Sequence, residues 1–326
     1  MESSLEFKNL SIAAATAAGR QILVDSMNLA VRRGEIVGLI GESGSGKTTT
    51  VRSVLGLLDR NVSIVSGEVR VMGHLVQSPA GNDVAWVRGR HVGMVFQGAS
   101  SSLDPLMKVG NQLREVAARH LRDLPESERS GRIERVISRM GFNDIPRVLK
   151  SYPHQLSGGM RQRIAIALAV VAEPEFLIAD ECTSALDVTT QREVIELLQS
   201  LTEGSGMGMI FVTHDLLLAG EICERIAVMY AGELVEIGRA AEVVSAPGHP
   251  YTKALLAAIP GRSRGALKAI EGTMPRVMTE FQGCRFASRC ASAREICHTG
   301  NTPWTELSRG GGSRCHFAAA IVEACT

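Results

Sequence analysis

A glycine-rich loop between an apolar run and a helical pattern constrains this chain more than any other feature. The apolar run is Ile36–Ile40, the loop spans residues 41–46, and Lys47 and Thr48 follow. Glycines allow backbone N–H groups to turn towards one point, and a helix N-terminus adds the positive end of its dipole. The pattern therefore predicts a buried strand, a phosphate-binding loop and a helix over residues 47–58.

A second segment adds acidic chemistry. Residues 176–181 form an apolar strand that ends in Asp180 and Glu181. Asp180 suits a Mg²⁺-associated carboxylate, Glu181 suits a base that polarises an attacking water, and Lys47 and Thr48 suit the phosphates and Mg²⁺. A ligand-free glycine turn and a solvated acidic turn are the structural alternatives. The loop alone indicates a nucleotide site, which kinases, GTPases and transport ATPases would all satisfy, and the acidic strand end is what favours hydrolysis.

Strand and helix patterns alternate along most of the chain, which favours an α/β fold with a parallel sheet covered by helices. Short strands are predicted at residues 5–7, 22–24, 29–31, 67–72, 92–96, 176–179, 209–212, 226–229 and 234–237. Helices are predicted at 109–121, 127–140 and 190–202, and a buried one at 164–172. We expect a nucleotide-binding domain over residues 1–246, with a helical subdomain at about 102–160, and a C-terminal extension over 247–326.

Composition excludes several classes of protein. Lys and Arg total 35 and Asp and Glu total 34, so a net charge of +1 gives no electrostatic footprint for nucleic acid. The longest uncharged apolar run, residues 164–172, is far shorter than the roughly 20 residues that span a membrane. The first residues lack a secretory pattern. We therefore expect a cytoplasmic chain with reduced cysteines.

Residues 156–163, with the sequence LSGGMRQR, resemble the signature motif of the ATP-binding cassette (ABC) ATPases. The resemblance spans about residues 5–260 and implies a P-loop ATPase core with an antiparallel β-subdomain, a helical subdomain and the C-terminal extension. It implies that Gln97 is the Q-loop glutamine, residues 184–187 the D-loop and His214 the switch histidine. It also implies a head-to-tail dimer in which Lys47 of one subunit and Ser157 of the other bind the same ATP.

The resemblance assigns roles residue by residue. The implied catalytic residues are Glu181, His214 and Gln97, and the implied Mg²⁺ ligands are Thr48, Gln97 and Asp180. The residues implied to bind ATP are Gly41, Ser43, Gly44, Ser45, Gly46, Lys47, Thr48, Thr49, Gln97, Ser157, Gly158, Gly159, Asp180 and Asp187. Residues 11–18 contain no aromatic side chain, although family members usually have one there against the adenine ring.

Other segments resemble one branch of the family. Several segments are similar to the importer ATPases for oligopeptides, dipeptides and nickel: residues 248–260 (GHPYTKALLAAIP), 95–97, 101–105, 109–110 and 229–232. The branch implies a peptide or a related small solute, with nickel possible. It implies a second, paralogous ATPase subunit, two transmembrane permease subunits and, indirectly, a solute-binding protein. The chain would lie at the cytoplasmic face of the membrane as a peripheral subunit.

The alternative is an ABC ATPase without a transport role, in DNA repair or translation. Repair members carry a long coiled coil between the phosphate loop and the signature motif, whereas here an ordinary helical stretch fills that interval. Translation factors usually carry two cassettes in one chain, and one is found here. The neutral charge also argues against nucleic-acid partners.

Four cysteines in the tail suggest metal chemistry. Cys284, Cys290, Cys297 and Cys315 are separated by five, six and seventeen residues. Four thiolates can hold an iron–sulfur cluster or Zn²⁺, and unligated structural cysteines are the third possibility. The resemblance of residues 283–290 and 315–317 to part of the importer family implies a [4Fe–4S] cluster. The remaining cysteines, which have no partner spacing, are Cys182, Cys223 and Cys325.

Overall fold

The computed structural model describes residues 4–98, 102–184, 186–259, 270–277, 281–307 and 311–323. Residue 101 of the Q-loop region, residue 185 of the D-loop, residue 260 and Cys325 lie outside the described residues. The chain divides into two compact units. The helical unit contains Val31–Glu35 and Asp83–Ile210, and the sheet unit contains Leu5–Ala30, Ile36–Asn82 and the chain from residue 211 onwards.

The described strands and helices follow one another along the chain as listed here. The strands are β1 (Ser4–Thr16), β2 (Gly19–Arg32), β3 (Ile36–Ile40), β4 (Val62–Val71), β5 (His74–Ser78), β6 (Gly81–Asn82), β7 (Val92–Val95), β8 (Phe176–Asp180), β9 (Gly208–Thr213), β10 (Arg225–Tyr230), β11 (Glu233–Arg239), β12 (Thr305–Glu306) and β13 (Gly312–Ser313). The helices are α1 (Lys47–Val54), α2 (Val84–Val87), α3 (Val109–His120), α4 (Glu126–Arg139), α5 (Ile145–Lys150), α6 (Gly158–Val170), α7 (Val188–Ser205), α8 (Leu216–Ile222), α9 (Ala240–Ser245), α10 (Pro250–Ala257) and α11 (Ala318–Glu323). Short 3-10 turns occupy Pro153–Gln155, Ala287–Arg289 and Glu295–His298.

The sheet unit contains two sheet regions. One is a sheet in the order β2-β1-β4-β5-β6, in which β1 pairs antiparallel with β4 from Leu5 opposite Val71 to Ala14 opposite Val62. In the other, β3 pairs parallel with β10, and β11, β13 and β12 continue antiparallel. Every residue of β3 is buried, which explains its uninterrupted apolar sequence.

The helical unit is built around α3, α4, α5 and α6, which pack against one another. Strands β7 and β8 pair parallel, with Val92 opposite Phe176 and Val95 opposite Ala179, and α6 packs against β7. Apolar residues of α6 such as Ile164 and Ile166 are fully buried. The predicted helices of this region therefore form, with bounds that differ by a residue or a few.

Two predictions about local structure were wrong. The short strands predicted at residues 5–7, 22–24 and 29–31 belong to the long strands β1 and β2. In β2 the buried Val24, Met27, Leu29 and Val31 alternate with more exposed residues, so the strand continues through positions that apolar runs alone do not mark. Helix α1 ends at Val54 rather than at residue 58, because Gly56 adopts a left-handed backbone with φ of 60°.

A buried carboxyl anchors the start of α10 in the sheet unit. The Glu236 side chain, only 2% exposed, accepts hydrogen bonds from the backbone N–H groups of Gly248 (2.6 Å) and His249 (3.0 Å). Burial raises the pKa of Glu236 to about 7, although the Thr252 hydroxyl and the two N–H groups act in the opposite direction. Burial lowers the pKa of His249 to about 3, and its Nδ1 accepts the N–H of Tyr251 at 3.0 Å.

We expect Glu236 to make the folded state less stable as pH rises. The folded protein keeps the Glu236 proton up to about pH 7, whereas the ordinary pKa of this side chain is 4.5, so the stabilisation is full below pH 4.5 and is lost by about pH 7. The loss corresponds to roughly 3 kcal/mol. Urea unfolding of the wild type and of Glu236→Gln, at about pH 5 and about pH 8, measures it. An equal stability difference at both pH values would contradict the expectation.

Candidate functional site

The loop after β3 fits its neighbours only because two of its positions lack side chains. Gly46 has a φ of 102°, and a Cβ there would lie 2.6 Å from the carbonyl oxygen of Leu23. A Cβ on Gly41 would lie 2.3 Å from the carbonyl oxygen of Met229. Any other residue at either position would push the loop away from the backbone it packs against.

Lys47 is the first residue of α1, and its amine turns back over the loop. The side chain is 4% exposed, and its Nζ donates to the carbonyl oxygens of Gly41 (2.8 Å) and Glu42 (3.0 Å). Among the other loop residues, Ser45 is buried, Thr48 and Thr49 are half-buried, and Ser43 and Gly44 are exposed. A buried cation bonded to loop carbonyls is a chemically suitable anchor for phosphate oxygens.

In the helical unit, the end of β8 carries the acidic pair. Asp180 is buried, whereas Glu181 is half-buried and has a left-handed backbone with φ of 45°. Such a conformation is rare for a residue other than glycine and clusters at functional sites. The side-chain amide of Gln97 donates to the Glu181 carboxylate at 3.0 Å. The structure thus brings together two residues, from the ends of β7 and β8, that lie far apart in the sequence.

The signature segment and the D-loop both begin helices in the helical unit. The Ser157 hydroxyl accepts the N–H of Met160 at the start of α6, and Ser157 and Gly158 are exposed. The Asp187 carboxylate caps α7 by accepting the N–H of Thr190 (3.0 Å) and its hydroxyl (2.7 Å). Those hydrogen bonds lower the pKa of Asp187. Each segment therefore presents exposed backbone at a helix N-terminus.

The last of the predicted site residues is His214. His214 is exposed after β9, where the next residue, Asp215, caps α8. Residues 41–49 and His214 belong to the sheet unit, whereas Gln97, Asp180, Glu181, the signature segment and Asp187 belong to the helical unit. Cys182 follows Glu181 as a buried thiol whose pKa burial raises to about 12, so it stays protonated.

The four tail cysteines surround one cavity in the sheet unit. Cys284, Cys290, Cys297 and Cys315 line a volume of about 240 Å³ together with basic side chains that include Lys253. All are free thiols. Burial is the largest cause that raises the pKa of Cys284 to about 11, and it raises those of Cys290 and Cys315 as well. Neighbouring thiols add to each of these three shifts.

Neither a ready-made metal site nor a membrane-spanning helix is found in the described part of the chain. It contains no group of three or more His, Cys, Asp or Glu side chains arranged to hold a metal ion. Among the same residues, no helix combines the length and the apolar character needed to cross a membrane.

The tail and the glycine-rich loop make a set of contacts that was not predicted from the sequence. Arg289 forms a bidentate ion pair with Glu42, and the hydroxyl of Tyr251 accepts the Glu42 N–H at 2.9 Å. Tyr251 lies in the segment at 248–260, and Arg289 directly precedes Cys290. The position of Arg289 beside a cysteine was visible in the sequence, but its partner more than two hundred residues earlier was not.

Comparisons with known proteins agree with this geometry. Residues 24–184 match the family described as ABC transporter, and residues 235–297 match the oligopeptide/dipeptide transporter C-terminal region. A Brucella ovis protein, whose name describes it as a peptide import ATP-binding protein, is 40% identical to this chain. The match covers 95% of this chain and 96% of the Brucella protein. The oligopeptide transport ATP-binding protein OppD of Lactococcus lactis is 40% identical over 84% of this chain and 81% of its own.

Solved structures show the same fold. The cbiO1 protein of Clostridium perfringens, part of the ABC transporter complex cbiONQ, has a TM-score of 0.63 at 27% identity and covers 74% of this chain and 91% of its own. A dimeric structure of the cassette MJ0796 with ADP and Pi has a TM-score of 0.62 at 28% identity, over 72% of this chain and 98% of its own.

A glycine-rich loop, an acidic strand end and a capped small-residue turn on this fold define an ATPase of the ABC class. The chain belongs to the ABC transporter family, in the branch that carries the oligopeptide/dipeptide C-terminal region. It is an ATPase whose hydrolysis of ATP is coupled to transport across a membrane. The expected fold class is confirmed.

The packing of Gly159 generates a test that needs no nucleotide. A Cβ on Gly159 would lie 2.6 Å from the methyl group of Thr190, and the Thr190 hydroxyl is already bonded to Asp187. We expect Gly159→Ala to destabilise the protein by about 1–3 kcal/mol, because that methyl group has little freedom to move. Thermal unfolding measures the effect.

Gly158→Ala is the matched control, since a Cβ on Gly158 meets nothing within 4 Å. Adding Thr190→Ser to Gly159→Ala removes the clashing methyl group and should recover most of the lost stability. Equal effects of the two alanine variants would show that Gly159 is not limited by Thr190.

Proposed function

We propose that the chain powers the import of peptides, and that its own loop, acidic pair and switch histidine bind and hydrolyse ATP. Both peptide-named relatives match most of this chain, which supports this solute class. The observation that carries the proposal is the buried Lys47 amine at the start of α1, beside the glycine-rich loop. ATP phosphates would replace the loop carbonyls as partners of that amine.

The acidic pair would serve the hydrolytic step. The Glu181 carboxylate is the proposed base that polarises the attacking water, and the Gln97 amide at 3.0 Å holds it in place. Asp180, buried at the end of β8, and the Thr48 hydroxyl offer the oxygen ligands that suit Mg²⁺. When bound with ATP, Mg²⁺ neutralises charge on the phosphates. His214, exposed after β9, is the proposed contact to the γ-phosphate.

We expect Glu181→Gln to bind ATP and to lose turnover by at least about a hundredfold, because an amide cannot take the proton from water. Phosphate release and nucleotide binding, measured on the chain assembled with its second ATPase subunit, report the two properties separately. Glu173→Gln is the matched control, since Glu173 also has a left-handed backbone, with φ of 52°. Undiminished hydrolysis by Glu181→Gln would refute its role as the base.

A second ATPase subunit would complete each site. Ser157 and Gly158 are exposed at the N-terminus of α6, where backbone N–H groups attract an anion. Val188, beside Asp187, is 82% exposed and is available for apolar contact with a partner chain. These features support the head-to-tail dimer, and we propose a paralogous chain as the partner.

The membrane subunits would dock near the segment that follows Gln97. Leu106 is 88% exposed on this segment, and the backbone around it is held by Gln112, whose amide donates to the carbonyl oxygens of Asp104 (3.0 Å) and Met107 (2.9 Å). A large apolar side chain on a braced turn is suited to a pocket on a permease subunit. We therefore propose a peripheral position at the cytoplasmic face of the membrane, with a solute-binding protein acting indirectly.

We also propose that the four tail thiols hold a [4Fe–4S] cluster. A cluster binds each thiolate through a different iron atom, so its ligands surround a cavity rather than meet at one point. The cavity of about 240 Å³ lined by all four cysteines fits this arrangement, and the nearby basic residues would offset the negative charge of the thiolates. When bound, such a cluster would crosslink the tail.

We expect anaerobically purified protein to contain about four irons and four sulfides per chain. Cys284→Ser should lose them, whereas Cys223→Ser should retain them, because Cys223 is a buried thiol outside the cavity. Metal analysis with a sulfide assay distinguishes the outcomes. One zinc per chain would assign the cysteines to Zn²⁺, and metal-free protein would reduce the cavity to packing.

A further inference from the structure

Arg289 makes more hydrogen bonds than a surface ion pair would, and two of them reach Glu42 in the glycine-rich loop. Its guanidinium donates to both Glu42 oxygens, at 2.9 and 3.2 Å, and to the hydroxyl of Tyr230 at 3.2 Å. It also donates to the carbonyl oxygens of Glu271 (2.9 Å) and Ile270 (3.2 Å). An arginine has five N–H donors, so the whole guanidinium is engaged.

Both side chains of the pair between Arg289 and Glu42 are largely shielded from solvent. The Arg289 side chain is 5% exposed and the Glu42 side chain is 28% exposed, so solvent screens the pair only in part. The guanidinium carbon also lies 5.7 Å from the centre of the Tyr230 ring. A planar arginine that is bidentate to a carboxylate cannot be replaced by lysine without losing part of the arrangement.

The C-terminal extension also contacts the backbone of Glu42. The Tyr251 hydroxyl, on α10, accepts the Glu42 N–H at 2.9 Å, and Tyr251 itself is fully buried. The carbonyl oxygen of Glu42 accepts the Lys47 amine. Glu42 is therefore fixed at its N–H, its carbonyl and its carboxylate, and two of the three partners come from the C-terminal extension.

We propose that Arg289 and Tyr251 of the extension are positioning residues that hold the glycine-rich loop ready for ATP. The inference rests on the proposed role of that loop as the phosphate site. Arg289 does two things there: it removes loop freedom that binding would otherwise have to remove, and it neutralises a carboxylate beside a site for a polyanion. The extension thereby sets the affinity for nucleotide.

The negative charge of Glu42 provides the sharper test. In Arg289→Ala the Glu42 carboxylate loses its partner and would repel the phosphates of the incoming nucleotide. We expect the dissociation constant of the Mg²⁺ complex of adenylyl imidodiphosphate, a non-hydrolysable ATP analogue, to rise about tenfold. Adding Glu42→Gln to Arg289→Ala should bring it back by about threefold or more, because the unpaired charge is gone. A purely structural role for Arg289 gives no such recovery.

Isothermal titration of the full chain measures these constants, with circular dichroism as the check on folding. Arg289→Lys is the second variant if Arg289→Ala does not fold, and it should show a smaller rise in the same direction. Tyr251→Phe should raise the constant a few-fold, since it loses one hydrogen bond. Arg314→Ala is the matched control, because Arg314 lies 6.0 Å from the Trp304 ring and donates to the Leu234 carbonyl rather than to the loop.

A folded Arg289→Ala variant with wild-type affinity, or with the same loss as Arg314→Ala, would overturn the proposal. Absence of recovery on adding Glu42→Gln would overturn the charge argument. Lys47→Ala separates this result from the proposed phosphate site itself. If Lys47→Ala keeps full affinity, the site assignment fails; if it loses binding while Arg289→Ala does not, only the positioning role fails.

Discussion

The close approach of the glycine-rich loop to the backbone around it is the constraint on which the sheet unit depends. The loop passes within contact of the carbonyl oxygens of Leu23 and Met229, where Gly46 and Gly41 leave no room for a side chain. The loop follows strand β3, and the parallel pairing of β3 with β10 fixes the position of Met229. The pairing of the two strands and the shape of the loop therefore depend on each other, and a side chain at either glycine would disturb both.

A second consequence of that approach is electrostatic. The loop buries Lys47, and a buried ammonium is costly unless oxygens surround it. The carbonyls of Gly41 and Glu42 meet that need because the glycines let the backbone turn them inwards. Glu42 would add an unbalanced negative charge to the same loop, and Arg289 balances it. The negative charge of Glu42 in the loop is therefore balanced only when Arg289 of the extension is in place.

Whether an interaction could be predicted from the sequence depends on how far apart its residues lie along the chain. The loop, the acidic strand end and the helix starts are short-range patterns, and the predicted helices at 109–121 and 127–140 form nearly as expected. The length of β2 was not visible because half of its positions are polar and face away from the core. The contact of Gln97 with Glu181, and that of Arg289 with Glu42, join distant segments and carry no local signal.

The aromatic residues of the extension explain how a loosely composed tail can hold a fixed position. Tyr251 and Phe286 of the extension form a cluster with Tyr230 of β10, with ring centres 4.6 to 5.4 Å apart. Few aromatics occur in this chain, so the packing of two of them against Tyr230 gives the tail a large share of the apolar contact it can make. Phe286 also lines the four-cysteine cavity, and Tyr251 and Tyr230 bond to Glu42 and Arg289. Packing inside the tail is therefore continuous with the loop, and a change at the cysteines has a short, contiguous route to Glu42.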